Sequence, residues 1–316
     1  MVNSAKKIFY APKSIDLNNI TSFIRVFNFI FNLTQKQRPD YHLSFGKVQK
    51  CDATGVLLLY KILEYSVINN CFRDPSHDIN NNPYLKGCIS EYGFSELVKA
   101  LMKDPDGIDL KPYKNLKVLH DKKVLVAPIA LIRRETYHSE EIIKKHYVPT
   151  ISSFYTDEKI QNMILGVFTE IMHNFWAHAT SDSNSIIFGY GTLNYFAIIC
   201  CDNGKGIDGT MRERFRSMDS KKLVLQAMKD GITSKENTSH MGYGLWYVNE
   251  VISQIKGTLT IISNNILYTN SYGRQNIMNC PAWKGCVISL KMPLNAPVTI
   301  CDIKQIQNSN VKINFI

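Results

Sequence analysis

No apolar run in this chain comes near the roughly 18 residues needed to cross a bilayer, and stretches such as 56–59 and 198–201 are far shorter. Residues 1–14 also lack the apolar core of a signal peptide, so a cytoplasmic location away from the membrane is expected. Internal repeats and low-complexity tracts are missing as well. The eight cysteines (Cys51, Cys71, Cys88, Cys200, Cys201, Cys280, Cys286 and Cys301) contain no C-x-x-C pair, and several stand inside apolar, strand-like runs. A thiol there packs as a small hydrophobe, so they read as reduced and mostly structural. The formal charge is +10, yet no segment is dense in Lys and Arg with aromatics between them. Nucleic acid is therefore not an expected partner.

What is present is ordinary globular material: 316 residues, 45% hydrophobic and 20% charged, enough for two domains with cores of their own. Residues 14–33 carry Ile20, Phe23, Ile24, Phe27, Ile30 and Phe31 at helical spacing behind a candidate cap at 14–18. Residues 41–48 alternate like a strand, 50–55 form a turn, 56–67 a second helix, and Asn80 to Pro83 a loop. A helix around 94–101 ends at 104–107, which places the end of a first compact unit near residue 110. Residues 116–132 are strand-like and 133–148 charged and helical, and together they read as a connector over 111–150. Beyond it, 185–190 and 195–201 suggest a hairpin, 221–229 and 245–255 helices, and 258–263, 265–270 and 286–292 strands. The second half is thus α/β with an antiparallel character rather than a doubly wound βαβ alternation.

The organising stretch is 157–180. Ile160, Met163, Ile164, Val167, Phe168, Ile171, Met172 and Phe175 recur at the spacing of a helix packed on a core, with Asp157 and Glu158 in its first turn. Glu170, Asn174 and His178 then follow one another at four-residue intervals along one edge of that helix. A carboxylate one turn from a carboxamide among apolar residues is costly to desolvate unless a metal or ligand meets it, although a solvent-facing polar edge would look the same. After the strand at 195–201 comes Asp202-Asn203-Gly204-Lys205-Gly206, whose carboxylate can accept from an exocyclic amine and whose glycines allow close backbone approach. Gly242-Tyr243-Gly244-Leu245 opens a further helix, where free amides and the helix dipole favour an anion. The polar segment 208–240 between them, ending in GITSKENTSHMG, has the composition of a mobile lid.

Each of these motifs is short, but their order and spacing are jointly restrictive. Glu170 and Asn174 on a helix, then Asp202-x-Gly204-x-Gly206, then Gly242-x-Gly244-Leu245 resemble the ATP-binding domain of the GHKL superfamily. Histidine kinases, type II topoisomerases, the ninety-kilodalton heat-shock chaperones and MutL belong to that superfamily. The resemblance covers about residues 150–295 and includes a closing hairpin at Gly257-Thr-Leu-Thr-Ile and Gly285-Cys-Val-Ile-Ser-Leu. It implies ATP and Mg²⁺ as cofactors, with Asn174 on the metal and Glu170 as general base. It places Asp202 on the adenine amino group, Gly204 and Gly206 along adenine and ribose, and Gly242, Gly244 and Leu245 against the phosphates. Ser234 and Lys235 would reach the terminal phosphate from the lid. Glu170-x3-Asn174-x3-His178 is most similar to the anti-sigma-factor serine kinases, although Phe175 stands where they carry a small residue.

A second, shorter resemblance lies in the first half. Residues 45–63, with Asp52-Ala53-Thr54-Gly55 at a strand-to-helix turn, look like a STAS domain, in which a phosphorylated hydroxyl precedes that glycine. Thr54 is then the candidate phosphoacceptor, with a helix cap at Asp52 or Thr54 as the plainer alternative. The expected organisation is a STAS-like α/β domain over 1–110, the connector, and an α+β sandwich ATP-binding domain over 151–316. The expected function is an ATP-gated regulatory switch or serine/threonine kinase with a protein partner, in a homodimer. A conformational ATPase and a non-hydrolysing ATP sensor are the alternatives. A histidine sensor kinase is disfavoured, because no paired-helix region with a phosphoacceptor His is evident.

Overall fold

The computed structural model describes residues 7–33, 40–69, 71, 76–103, 119–120, 124–131, 141, 143–178, 185–229, 231–232 and 244–294. The first part of the chain forms β1 (Lys7–Tyr10), β2 (Ser14–Ile15), α1 (Ile20–Phe27), a 3₁₀ stretch (Asn28–Asn32), β3 (Tyr41–Ser44) and β4 (Lys50–Cys51). It continues with α2 (Ala53–Ile68), β5 (Ser76–His77), α3 (Pro83–Glu91) and α4 (Ser95–Lys103). The strands make a small parallel sheet in the order β1-β3-β5 and a separate parallel pair of β2 with β4. In α1, Ile20, Phe23, Ile24 and Phe27 are all buried, as their spacing predicts.

Two local readings change. α2 starts at Ala53, because the Asp52 side chain accepts the Gly55 N–H at 2.9 Å and leaves Thr54 inside the first turn. The second Asp52 oxygen takes the Leu17 N–H at 2.9 Å, which ties the cap to the segment leading into α1. Asn80 to Pro83 are not simply a loop: Ile79–Asn81 form a 3₁₀ turn, Asn82 is a cap and Pro83 begins α3. Asn82 accepts the Leu85 N–H at 3.1 Å and Pro83 occupies the first turn, where its missing N–H costs nothing.

The remainder is built on a six-stranded antiparallel sheet: β6 (Leu119–His120), β7 (Val124–Leu131), β8 (Ser185–Gly191), β9 (Tyr195–Cys201), β10 (Thr258–Ser271) and β11 (Arg274–Pro293). Its order is β10-β11-β9-β8-β7-β6. The helices are α5 (Val148–Phe154), α6 (Glu158–His178), α7 (Gly206–Met211), α8 (Ser220–Ala227) and α9 (Gly244–Gln254). The hairpin expected from 185–201 forms as β8 and β9. The three late strands merge into two long ones, because a bulge between Ser263 and Ile266 bends β10 without ending it.

Side chains of the sheet alternate between two cores. Ile187, Phe196, Ile198, Cys200, Ile288 and Leu290 pack with α6, α9, α7 and α8, whereas Ile186, Phe188, Ile199, Cys201, Val287 and Trp283 pack with α1, α2 and α4. Both faces are covered, so the central strands read as nearly continuous apolar runs. Phe94 meets Phe188 edge-on at 5.3 Å, and Tyr92 meets Tyr190 at 5.0 Å, across the N-terminal contact. The described helices of the first 110 residues therefore share a core with the sheet. The expected connector over 111–150 supplies β6 and β7, which pair onto β8.

The segment 208–240 also departs from a mobile loop over its described part. α7 and α8 are folded, and Met211, Leu223, Val224, Ala227 and Met228 are buried in the inner core. The stretch 233–243 lies outside the described residues, and with it Ser234, Lys235 and Gly242.

Candidate functional site

The site grows from the packing of α9 on α6. Gly166 leaves room for Tyr247, whose hydroxyl would stand 2.8 Å from a Cβ at that position and donates to the Met163 carbonyl at 3.4 Å. One turn earlier in α9, Gly244 lies against Glu170 and Asn174. The two helices therefore run antiparallel, and the first residue of α9 is delivered to the polar edge of α6. A Cβ on Gly244 would sit 3.0 Å from Glu170 Oε2 and 3.2 Å from Asn174 Nδ2. The glycine is what lets the helix start approach both groups.

Glu170 and Asn174 are each half-buried, one turn apart, and directed to the same place. Burial raises the Glu170 carboxyl above its ordinary pKa, because desolvation penalises the charged form. Burial also pushes the nearby Tyr247 phenol up to about 12, with a further push from the Glu170 charge. The Asn174 Nδ2 is buried and, among the described residues, has no hydrogen-bond partner. A buried amide left in this way costs about 1–3 kcal/mol. His173 is exposed, and the side chain of His178 lies outside the described residues. Phe175 is 4% exposed and sits inside the inner core, so the large residue following Asn174 is absorbed by packing beneath the site.

The Asp202 to Gly206 turn leaves β9 and leads straight into α7, which packs against α6. Asp202 is 5% exposed, and its Oδ1 accepts the Gly204 N–H at 2.6 Å. Gly206 has φ +70°, and a Cβ there would fall within 2.3 Å of Asn264 Oδ1 and 2.7 Å of the Gly285 carbonyl. The requirement for glycine at 206 thus comes from β10 and β11, against which the turn is pressed. Ser263 Oγ accepts the Ile207 N–H at 2.7 Å, and Asn264 Nδ2 donates to the Lys205 carbonyl at 3.2 Å.

Several of these residues escape a sequence reading. Tyr247, Ser263, Asn264, Trp283 and Gly285 all shape the site, but each acts through tertiary contact. Gly285 alone leaves a trace: a glycine inside a strand pattern marks a bulge or a close backbone approach. Here it has φ +102°, and a Cβ would lie 2.2 Å from the Asp202 carbonyl.

Thr54 is elsewhere. It is 2% exposed in the outer core, and its hydroxyl donates to Ser289 Oγ at 3.4 Å across the contact between α2 and β11. Its hydroxyl is thus buried against β11 in this arrangement. Asp52 fills the capping role at that turn.

A divalent cation fits the α6 edge by its chemistry. Among the described residues, no group of three or more His, Cys, Asp and Glu side chains is placed to hold a metal alone. Mg²⁺, which keeps several waters and takes few protein ligands, would use the Asn174 amide, whose oxygen reaches the buried side by a half-turn of the group. A scan against protein-family models matches none, and a search of curated proteins finds no similar sequence.

Proposed function

We propose that this chain is a Mg-ATP-binding regulatory protein with its nucleotide site between α6, the Asp202 to Gly206 turn and the start of α9. The observation that carries this reading is the meeting of Glu170, the unbonded Asn174 amide and the first residue of α9 at one point. The end of α9 at Gly244 turns its positive dipole end toward this point, and α9 is 11 residues long over its described part, enough for that dipole to develop. Asn174 would hold Mg²⁺, which would neutralise charge on the phosphates when bound. Gly206 keeps the turn close to the strands beneath it, Gly204 donates its N–H to the Asp202 carboxylate, and Asp202 faces the adenine end. The likeness of these motifs to GHKL ATP-binding domains supports the same placement.

Glu170 is the group of this site suited to moving a proton. Its pKa, raised by burial, brings it toward the range in which a carboxylate can take a proton from a hydroxyl or water. The phosphoryl acceptor is then a partner protein's serine or threonine, as in the anti-sigma-factor kinases, or water. The buried Thr54 does not serve, so the STAS-like likeness of residues 45–63 gives a layer packed on the sheet rather than a substrate. The setting proposed is cytoplasmic, with a homodimer and a protein partner.

Incubation of the purified protein with ATP labelled on the terminal phosphate, with and without Mg²⁺, tests this reading. Label on protein identifies the kinase, and free labelled phosphate alone identifies a conformational ATPase. Saturable ATP binding with neither product identifies a sensor. No Mg-dependent ATP binding of any kind refutes the proposal.

A further inference from the structure

One short piece of β11 grips the turn that carries Asp202. The Asp202 N–H donates to the Cys286 carbonyl at 2.9 Å, the Trp283 indole N–H donates to the Asp202 carbonyl at 3.2 Å, and Asn203 Nδ2 donates to the Lys284 carbonyl at 3.1 Å. Gly285, with φ +102°, permits this closeness, since any side chain there would strike Asp202. Three hydrogen bonds to residues 283, 284 and 286 thus hold the Asp202 backbone and the Asn203 side chain, and the Asp202 carboxylate with them.

The same piece of β11 is held from the other side by the N-terminal helices. Trp283 is 1% exposed, and its ring meets Phe31 edge-on at 5.1 Å. Phe31 in turn meets Tyr65 of α2 edge-on at 5.1 Å. Lys284 Nζ donates to the Tyr65 hydroxyl at 3.0 Å and lies 4.8 Å from the centre of that ring. A continuous path of contacts therefore runs from α2 through Tyr65, Phe31, Trp283 and Lys284 to Asp202 and Asn203. Indole N–H groups buried in a core need an acceptor, and this one is spent on the carbonyl of the residue assigned to adenine.

We propose that Trp283 is a positioning residue through which the N-terminal helical layer sets Asp202, and thereby the affinity of the site for the adenine end of its nucleotide. The proposal rests on the nucleotide reading above for its ligand, but not for its mechanics. Coupling of this kind is reciprocal, so nucleotide at Asp202 also tightens the layer around Phe31 and Tyr65. The N-terminal helices then act as a regulator built into the chain: whatever loosens Tyr65 and Phe31 from Trp283 weakens nucleotide binding without touching the phosphate side.

Two substitutions isolate the path. Trp283→Phe keeps an aromatic ring against Phe31 and removes the N–H, and Tyr65→Phe keeps the ring and removes the acceptor of Lys284. Hydrogen exchange of amides 202–207 is measured without nucleotide, and affinities are measured for Mg-ATP and for Mg-tripolyphosphate, which lacks adenine. In Trp283→Phe, exchange at 202–207 rises while the strands of the sheet stay protected. Mg-ATP affinity falls about three- to tenfold, the range expected for one lost hydrogen bond, and tripolyphosphate affinity is unchanged. Tyr65→Phe gives the same pattern at smaller size. Unchanged exchange at 202–207 in Trp283→Phe overturns the proposal, as does an equal loss for both ligands, which would mark a general structural role. A wild type that binds neither ligand refutes the nucleotide reading alone. The exchange arm then still decides whether Trp283 holds the turn.

Discussion

α2 and α6 lie on opposite faces of one sheet, and both carry polar residues among apolar ones, yet they treat them differently. In α2 every residue from Ala53 to Ser66 is buried, and its polar groups are bonded within the chain: Thr54 to Ser289, Lys61 and Tyr60 to Glu64, and Ser66 to the Leu63 carbonyl. In α6 the polar pair Glu170 and Asn174 is only half-buried, and the Asn174 Nδ2 has no partner among the described residues. Polar residues that satisfy one another hold a core together. Polar residues that converge beside Gly244, one of them with an amide nitrogen unpartnered among the described residues, are what the ligand proposal rests on.

The sharpest way to separate the two helices is through chemistry. Glu170→Gln keeps the shape of the α6 edge and removes the base, so phosphoryl transfer or hydrolysis is expected to fall about 10²- to 10⁴-fold while Mg-ATP binding persists. Single-turnover kinetics read this, and turnover at the wild-type rate removes Glu170 from the proton transfer.

On the α2 side the expected effect is on stability. Lys61 and Glu64 are 0% and 1% exposed, and Lys61→Met leaves the Glu64 carboxylate buried without its cation. A loss of about 3–5 kcal/mol in denaturant unfolding is expected. A loss below about 1 kcal/mol would mean that solvent reaches this pair.

A smaller change probes Thr54. Thr54→Val removes one neutral hydrogen bond to Ser289 and is expected to cost about 1 kcal/mol. After incubation with Mg-ATP, the intact mass of wild-type protein should carry no phosphate on residues 51–61. A phosphate there would require α2 to leave the sheet.

The smallest expected effect is a pH dependence. The folded-state pKa of Glu170 is raised by burial, so the folded protein favours the neutral acid. This contribution to stability is fully present below the ordinary carboxyl pKa and is lost as pH rises through the folded value. The melting temperature of Glu170→Gln should therefore rise relative to wild type from about pH 4 to pH 7. A difference that stays flat across this range would place Glu170 in water.

Much of this was legible in the sequence, and the exceptions share a cause. α6, α9 and the β8–β9 hairpin follow from helical spacing and strand alternation, both local signals, whereas the placing of Gly244 beside Glu170 and Asn174 was expected only from the resemblance to GHKL ATP-binding domains. What stayed hidden depends on contacts between distant segments. The covering of the outer sheet face by α1, α2 and α4 has no local mark, so residues 1–110 read as a separate domain and 111–150 as a connector. α7 reads as loop because its exposed face is polar, while Met211 supplies its buried face; α8 is the helix expected at 221–229, with Leu223 and Val224 buried. Gly206 was legible as a special position but not for its reason, which is the approach of Asn264 and Gly285.

The most direct test of the central claim is a calorimetric titration of the full chain and of Asn174→Ala with ATP, with and without Mg²⁺. A site on the α6 edge requires saturable, one-to-one, Mg-dependent binding by the wild type and its loss in Asn174→Ala, with the melting temperature of the free protein largely kept. Equal binding by both proteins, or no binding by the wild type, would contradict it.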